Sequence, residues 1–272
     1  MEAREAGGMP DGGWDEESVA RELLACEDER RDRVKFTDEW PELDVETGYR
    51  IQDRTLRMRL DRGEHLIGVK LGLTSRAKQV RMGVDVPFVA WLTDAMVLPA
   101  GEPVPQDALI HPRFEPEIVF VMGDRLEGPG VTSAQAMAAV ASVWGGGEVI
   151  DSRYRDFRFT AGDVVADNAS SGAYVTGPVG LPPADLDLGL EAVLVEVDGQ
   201  VVDSATGAAV QGHPGEALAL AANELAKRGL AIEPGWVVLT GGMTDAVPVP
   251  PGAKVAFHFT SLGSVHLQGG EA

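Results

Sequence analysis

The spacing of hydrophobic and polar positions divides the chain into a helical first part and a strand-rich remainder. Apolar residues recur near the 3.6-residue helical period from Asp15 to Arg33, and again from about Val45 to Arg62. Gly63, a residue type that often follows a helix, ends the second stretch. We therefore predict a flexible tail over residues 1–14, an N-terminal helical lobe over 15–65 and a β-rich domain over 66–272.

Short apolar runs bounded by glycine, proline and Asp-Gly turns predict the elements of the β-rich part. The predicted strands are 66–71, 113–120, 192–197, 200–203, 236–239, 254–259 and 264–267, and the predicted helices are 132–144 and 214–228. Val84 to Leu92 is predicted to be a loop. Because strands outnumber helices and do not alternate with them in a βαβ order, the pattern favours an α+β fold.

Composition and charge narrow the classes of function. The chain has no run of about 18 apolar residues, so we expect no membrane span. Residues 1–15 are acidic and glycine-rich, unlike a signal peptide, and the single cysteine, Cys26, excludes an internal disulfide; both features predict a cytoplasmic protein. The formal net charge of −20 argues against nucleic-acid binding and means that local Lys and Arg residues must capture any anionic substrate.

Two glutamates share one face of the predicted strand 113–120. Side chains alternate along a strand, so Glu115 and Glu117 point the same way. Carboxylates placed side by side among apolar residues repel each other, and a hard divalent cation relieves the repulsion. Glu148, in a second apolar run, is the obvious third ligand. The alternative is that Glu115 and Glu117 form the solvated face of an edge strand.

Lys70 is the single charge in the predicted buried strand Leu66–Leu71. A lysine among Ile67, Val69 and Leu71 is costly unless it meets an anion. It is therefore a candidate for a role in the site, although a lysine that reaches solvent from an edge strand would give the same pattern. Other catalytic signatures, such as an H-x-x-x-H pair, a G-x-S-x-G elbow or a P-loop, do not occur in the sequence.

Five blocks of sequence occur together in one order. They are Gly68–Lys78, His111–Ile118, Glu148–Arg153, Ala166–Gly172 and Gly241–Pro248. In this respect the chain, over roughly residues 45 to 268, resembles the hydratase/decarboxylase family of meta-cleavage catabolism, within the fumarylacetoacetate hydrolase superfamily. The resemblance implies two parts: an N-terminal helical lobe, and a mixed β-sandwich roll that carries the catalytic site. It also implies a homo-oligomer.

The resemblance also implies roles for individual residues. Glu115, Glu117 and Glu148 would hold Mg²⁺, with Mn²⁺ as a possible substitute, and Lys70 would be the catalytic or substrate-orienting cation. The residues expected to contact substrate are Leu71, Arg113, Arg153, Asn168 and Ser170. Each arginine could equally form a structural salt bridge, and Asn168 and Ser170 could equally belong to a capped turn. Gly145–Gly147 departs from the bulkier residues of relatives and could widen or loosen the pocket.

The implied reaction is metal-dependent decarboxylation of 2-oxo-3-hexenedioate (4-oxalocrotonate), or a substituted analogue, to 2-hydroxypenta-2,4-dienoate. Hydration of 2-hydroxypenta-2,4-dienoate is the alternative. Hydratase-type relatives tend to carry an acidic residue after this proline, whereas Phe88 follows Pro87 here, so the resemblance favours decarboxylation. Acylpyruvate-type hydrolysis ranks lower because no His-Glu dyad is evident. A non-enzymatic scaffold for a hydratase subunit remains open, and an active decarboxylase could also associate with such a subunit.

Overall fold

The computed structural model describes residues 13–75, 79–80, 82–84, 87–105 and 108–270, whose main elements are two β-sheets and several α-helices. The helices are α1 Glu16–Asp28, α2 Val45–Asp61, α3 Ser133–Ala138, α4 Ala161–Ala166 and α5 Pro214–Ala226. The strands are β1 Leu66–Gly72, β2 Phe88–Thr93, β3 Arg113–Met122, β4 Val140–Ile150, β5 Ser171–Leu181, β6 Ala192–Val197, β7 Gln200–Thr206, β8 Val237–Leu239, β9 Val247–Pro248, β10 Lys254–Phe259 and β11 Ser264–Gln268.

The larger sheet is mixed and positions the site. Its strands run in the order β2-β1-β8-β3-β4-β5, with β9 also paired to β3, and β1 and β8 are parallel while the other pairs are antiparallel. The smaller sheet has the order β11-β10-β6-β7. Phe120 of β3 and Phe257 of β10 belong to one hydrophobic cluster, so the two sheets share a core. The predicted α+β sandwich is confirmed.

The glycine run lies on β4 where the two sheets approach each other. A Cβ atom on Gly145 would lie 2.6 Å from the ring of Phe259, and one on Gly147 would lie 2.9 Å from Leu267 Cδ1. Both partners belong to the smaller sheet. At Gly145 and Gly147 the absence of a side chain therefore permits close packing of the sheets, while Gly146 lies opposite Glu117 in the ladder between β4 and β3.

The N-terminal helices begin at clear caps. The side chains of Asp15 and Asp44 accept hydrogen bonds from the backbone N–H groups of Ser18 and Thr47, each at 2.8 Å. Helix α1 ends at Asp28, earlier than predicted, because Arg30 adopts a left-handed φ of 53°. Both helices share a hydrophobic cluster that also includes Tyr154 and Ala166. Residues beyond position 65 therefore complete the hydrophobic cluster of the N-terminal helices.

Two further predictions fail where a strand replaces another conformation. The predicted helix 132–144 ends at Ala138, and β4 begins at Val140 because it pairs with β3 along its length, which overrides the helix propensity of the alanines. The predicted loop at Val84 to Leu92 contains the buried strand β2, which pairs with β1. The predicted tail up to Gly12, and residues 76–78 of the block Gly68–Lys78, lie outside the described residues. Within the described residues, no helix is long and apolar enough to cross a membrane.

Candidate metal centre and active site

Three buried carboxylates converge from two adjacent strands. Glu115 on β3 and Glu148 on β4 are direct cross-strand partners, and Glu117 lies two residues further along β3 on the same face. Each offers an oxygen within 4.8 Å of the others. The exposed fractions are only 9% for Glu115, 0% for Glu117 and 1% for Glu148, which excludes the solvated edge strand as an explanation.

The Gly241–Gly242 turn holds two of these carboxylates. The backbone N–H of Gly241 donates to Glu117 Oε2 at 2.7 Å. A Cβ atom on Gly242 would lie 2.7 Å from Glu115 Oε2, so only glycine lets the turn pass this close. Gly241 has a φ of 105°, which also favours glycine. The turn therefore fixes where the carboxylates of β3 can lie.

The donor set fits a hard divalent cation. Glu117 Oε1 is buried and has no hydrogen-bond partner. Burial raises the pKa of Glu117 well above its ordinary value, and the neighbouring charges of Glu148 and Glu115 raise it further. Clustered carboxylate oxygens are the ligands that Mg²⁺ and Mn²⁺ prefer, and a cation would satisfy the unpartnered oxygen and neutralise the cluster.

Lys70 lies beside this cluster and is almost completely buried, with 2% of its surface exposed. Its Nζ lies 2.9 Å from Glu148 Oε1 and donates a hydrogen bond to the backbone oxygen of Ala169 at 2.6 Å. Burial raises the pKa of Glu148, and the positive charge of Lys70 opposes that rise. An ammonium has three donors, so two contacts leave one N–H for a bound molecule.

The carbonyl that receives Lys70 belongs to an unusual turn, which we call the left-handed turn. Asn168, Ala169 and Ser170 have φ values of 49°, 50° and 58°, a conformation that costs free energy for residues other than glycine. The Asn168 side chain holds the turn against β2, because it accepts from the Trp91 N–H at 2.8 Å and donates to the Trp91 carbonyl at 2.9 Å. The amide of Asn168 therefore fixes the position of the Ala169 oxygen.

Arg153 supports the same turn from inside the protein. Its guanidinium forms an ion pair with Asp167 and donates to the backbone oxygens of Asp167 at 2.6 Å and Ser171 at 2.9 Å. Arg153 is 3% exposed and does not line the cavity described below. These contacts form the structural salt bridge that the sequence analysis gave as the alternative to a contact with substrate.

A cavity of about 530 Å³ opens in front of Lys70 and Glu115. Its walls are mostly apolar, and they include Leu73, Met82, Phe88, Phe157, Phe159, Ile150 and Val164. Of the predicted substrate contacts, Arg113 and Ser170 line the cavity. Asn168 does not line it and is committed to Trp91, and Leu71 is 1% exposed within the hydrophobic core. The structure therefore brings together only part of the predicted substrate-binding set.

Sequence reasoning missed several residues of this region. Phe157, whose ring stacks on Arg113, and Asp245 both line the cavity, and Gly242 contacts Glu115. The Gly-Gly pair in the block Gly241–Pro248 was the available signal for the turn. Phe157 has no comparable signal, because its contact with Arg113 depends on a loop far along the chain.

Comparison with known proteins places the chain among characterised relatives. The family model described as fumarylacetoacetate (FAA) hydrolase C-terminal matches residues 65–268. A 4-oxalocrotonate decarboxylase from Pseudomonas sp. (strain CF600) is 42% identical over 91% of this chain and 94% of its own length. A 2-hydroxyhexa-2,4-dienoate hydratase from Comamonas testosteroni is 39% identical over 88% of this chain and 91% of its own length.

A solved structure agrees with the sequence relatives. The 4-oxalocrotonate decarboxylase from Pseudomonas putida G7, complexed with magnesium and adipate, superposes with a TM-score of 0.91 at 40% identity, and covers 93% of this chain and 96% of its own. The matched region contains both strands of the carboxylate cluster, the lysine strand and the glycine turn. The chain therefore belongs to the fumarylacetoacetate hydrolase family, in the group that includes these decarboxylases and hydratases.

Proposed function

We propose that the protein is a metal-dependent carboxy-lyase that decarboxylates 2-oxo-3-hexenedioate (4-oxalocrotonate), or a substituted analogue, to 2-hydroxypenta-2,4-dienoate. The observation that carries the proposal is the buried cluster of Glu115, Glu117 and Glu148 beside Lys70, of which Glu115 and Lys70 line a mostly apolar cavity. The likeness to decarboxylases over nearly the whole chain supports the choice of reaction.

Glu115, Glu117 and Glu148 would hold the cation, for which Mg²⁺ is the first choice. When bound, the cation supplies electrostatic stabilisation for negative charge that develops on the 2-oxo oxygen of the substrate. In the reaction the bond from C5 to the C6 carboxylate breaks, CO₂ leaves, and the electron pair moves through the C3–C4 double bond to that oxygen. The oxygen then takes up one proton from solvent to give the 2-hydroxy product. The glutamates need no change of covalent state.

Lys70 contributes a positive charge to the wall of the cavity. It contacts Glu148 and donates to the Ala169 carbonyl, which leaves one of the three ammonium donors for other partners. That N–H can hydrogen-bond the reacting oxygen and offset the charge that moves onto it. Because the group is buried, the interaction is stronger than it would be in water.

The apolar walls favour decarboxylation over reactions that need an activated water. Phe88 is 2% exposed and lines the cavity where the sequence resemblance leads us to expect an acid in hydratases. A phenyl ring cannot accept or deliver a proton, and a wall of such groups excludes water from the reacting bond. The described cavity wall contains only two acidic residues, Glu115 of the metal cluster and Asp245.

Hydration of 2-hydroxypenta-2,4-dienoate is the second candidate. It is favoured by the 39% identity to a dienoate hydratase and by the fact that the same carboxylate cluster would serve both reactions. A product assay separates the two. Metal-free protein is incubated with 2-oxo-3-hexenedioate, with and without Mg²⁺, while CO₂ is measured, and separately with 2-hydroxypenta-2,4-dienoate.

Metal-dependent CO₂ release that is absent in Glu117→Ala supports the decarboxylase. Consumption of the dienoate without CO₂ release from the dicarboxylate would assign the protein to the hydratases instead. We also propose a homo-oligomer that can associate with a hydratase subunit, as the family resemblance suggests. Analytical ultracentrifugation of the protein alone and with a purified hydratase tests both parts, and a single monomeric species in each case would contradict them.

A further inference from the structure

We propose that Arg113 binds the carboxylate at the far end of the substrate, and thereby selects dicarboxylates over monocarboxylates of the same length. The inference rests on the proposed function, since it concerns the second carboxylate of a 2-oxo dicarboxylate. The contacts within the protein favour Arg113 over Arg153, which is paired with Asp167, for this role.

The position of Arg113 on β3 allows it to reach a substrate bound at the metal cluster. It precedes Glu115 by two residues, so both side chains leave the same face of the strand, and both line the cavity. The two Cα positions are about 7 Å apart at the usual rise of an antiparallel strand. An extended six-carbon diacid has a comparable distance between its two carboxyl carbons. Because both side chains line one cavity of about 530 Å³, a molecule of this length that meets Glu115 with one end can reach Arg113 with the other.

Arg113 also lacks a carboxylate partner within the part of the chain that the structure describes. The guanidinium of Arg113 instead packs over the ring of Phe157, with the guanidinium carbon 4.0 Å from the ring centroid. The other cation of the described cavity wall, Lys70, is paired with Glu148. In a chain with 43 acidic and 23 basic residues, an arginine without an ion pair inside a cavity indicates a site for an external anion.

Phe157 prepares the guanidinium for this role. Stacking occupies one face of the planar group and leaves its edge, where the N–H donors lie, available for a carboxylate. Phe157 and the preceding Asp156 both have φ values of 56°, so the loop adopts a costly conformation to present this ring. Strain of this kind concentrates at functional sites.

The expected kinetic effect has a definite sign. The distal carboxylate is the group that leaves as neutral CO₂, so its attraction to Arg113 is stronger in the ground state than in the transition state. Loss of Arg113 should therefore weaken substrate binding without lowering the rate of the chemical step. An increase in KM with an unchanged or higher kcat distinguishes this role from a structural one.

The experiment compares the Mg²⁺-loaded wild type with Arg113→Gln, Arg113→Lys and the control Arg125→Gln. Arg125 is a surface residue that pairs with Glu127 and Glu233, so its replacement makes the same charge change away from the cavity. KM and kcat are measured with 2-oxo-3-hexenedioate, and the affinities for adipate and hexanoate are measured by calorimetry.

For Arg113→Gln we expect KM and the adipate Kd to rise by roughly tenfold or more, which corresponds to about 1.4 kcal/mol. Hexanoate binding should change little, Arg113→Lys should be intermediate, and Arg125→Gln should match the wild type. Unchanged adipate affinity in Arg113→Gln, or a fall in kcat at constant KM, would overturn the proposal. If the wild type releases no CO₂ but binds adipate in an Arg113-dependent way, the decarboxylase fails and the carboxylate subsite stands.

Discussion

Glu115 and Glu148 face each other as direct partners in the antiparallel ladder between β3 and β4. Like charges in this position destabilise a sheet, and here both are buried. Lys70 and the Gly241 N–H offset part of the cost, because they contact Glu148 and Glu117 respectively. The remaining repulsion is the free energy that a bound cation can remove.

Mg²⁺ should stabilise the wild-type protein and should not stabilise Glu117→Gln. At one hundred times its dissociation constant, a ligand that binds only the folded state raises the free energy of unfolding by about 2.7 kcal/mol. The amide oxygen of glutamine can still accept the Gly241 N–H, so the variant should fold, and without metal it should be more stable than the wild type. Thermal unfolding with and without Mg²⁺ measures both effects. An equal Mg²⁺-dependent shift in both proteins would place the cation elsewhere.

The metal-free wild type should lose stability as the pH rises. The pKa of Glu117 is raised in the folded state, so the folded protein holds this proton more tightly than the unfolded chain does. The free energy of unfolding therefore falls as pH increases from the ordinary value of 4.5 through the raised folded value. Urea denaturation at several pH values checks this, with Glu117→Gln as the reference that lacks the group. Parallel curves for the two proteins would contradict it.

The affinity for Mg²⁺ should rise with pH, whereas the stability of the metal-free protein falls, because the cation competes with the proton on Glu117. The affinity should therefore increase with pH until the group is fully ionised. Calorimetric titration across the same pH range measures this directly.

Gly242→Ala should weaken metal binding through Glu115. The added Cβ would approach Glu115 Oε2 to 2.7 Å and push the carboxylate from its place. Displacing a ligand by a change in its support typically costs 10- to 100-fold in metal affinity, so we expect a loss of about that size. Gly189→Ala is a matched control, because its nearest contact would be an ordinary 3.6 Å to Asp187 Oδ1. Equal Mg²⁺ affinities in the two variants would show that the Gly241–Gly242 turn does not position Glu115 for metal binding.

Asn168→Ala should reduce kcat as well as stability. It breaks two hydrogen bonds to Trp91 and releases the left-handed turn whose Ala169 carbonyl holds Lys70. Asn223 forms the same pair of bonds with Val131, at 2.9 Å each, and lies away from the cavity. We expect each alanine variant to lose about 1–3 kcal/mol of stability. Only Asn168→Ala should lower kcat, and similar kcat values would show that the turn does not position Lys70.

Strand periodicity alone predicted the shared face of Glu115 and Glu117, because alternation along a strand needs no knowledge of the sheet. The contact between Lys70 and Glu148 could not be predicted in this way. Strands β1 and β4 are not neighbours, since β8 and β3 lie between them, and the order of strands depends on the whole fold.

The two arginines illustrate the same limit. Arg113 and Arg153 both lie beside proposed metal ligands in the sequence, and both could have held a substrate carboxylate. Their difference is set by partners distant in the chain or in a separate loop, Asp167 for Arg153 and Phe157 for Arg113. The packing role of the glycine run on β4 could not be predicted either, because it depends on residues of the other sheet, such as Phe259.

The most direct test of the account is CO₂ release from 2-oxo-3-hexenedioate by the metal-free protein before and after Mg²⁺ is added. We predict release only after addition, with 2-hydroxypenta-2,4-dienoate as the second product and no release from Glu117→Ala. CO₂ release that does not depend on a divalent cation or on Glu117, or no release from this substrate at all, would contradict the proposed decarboxylase.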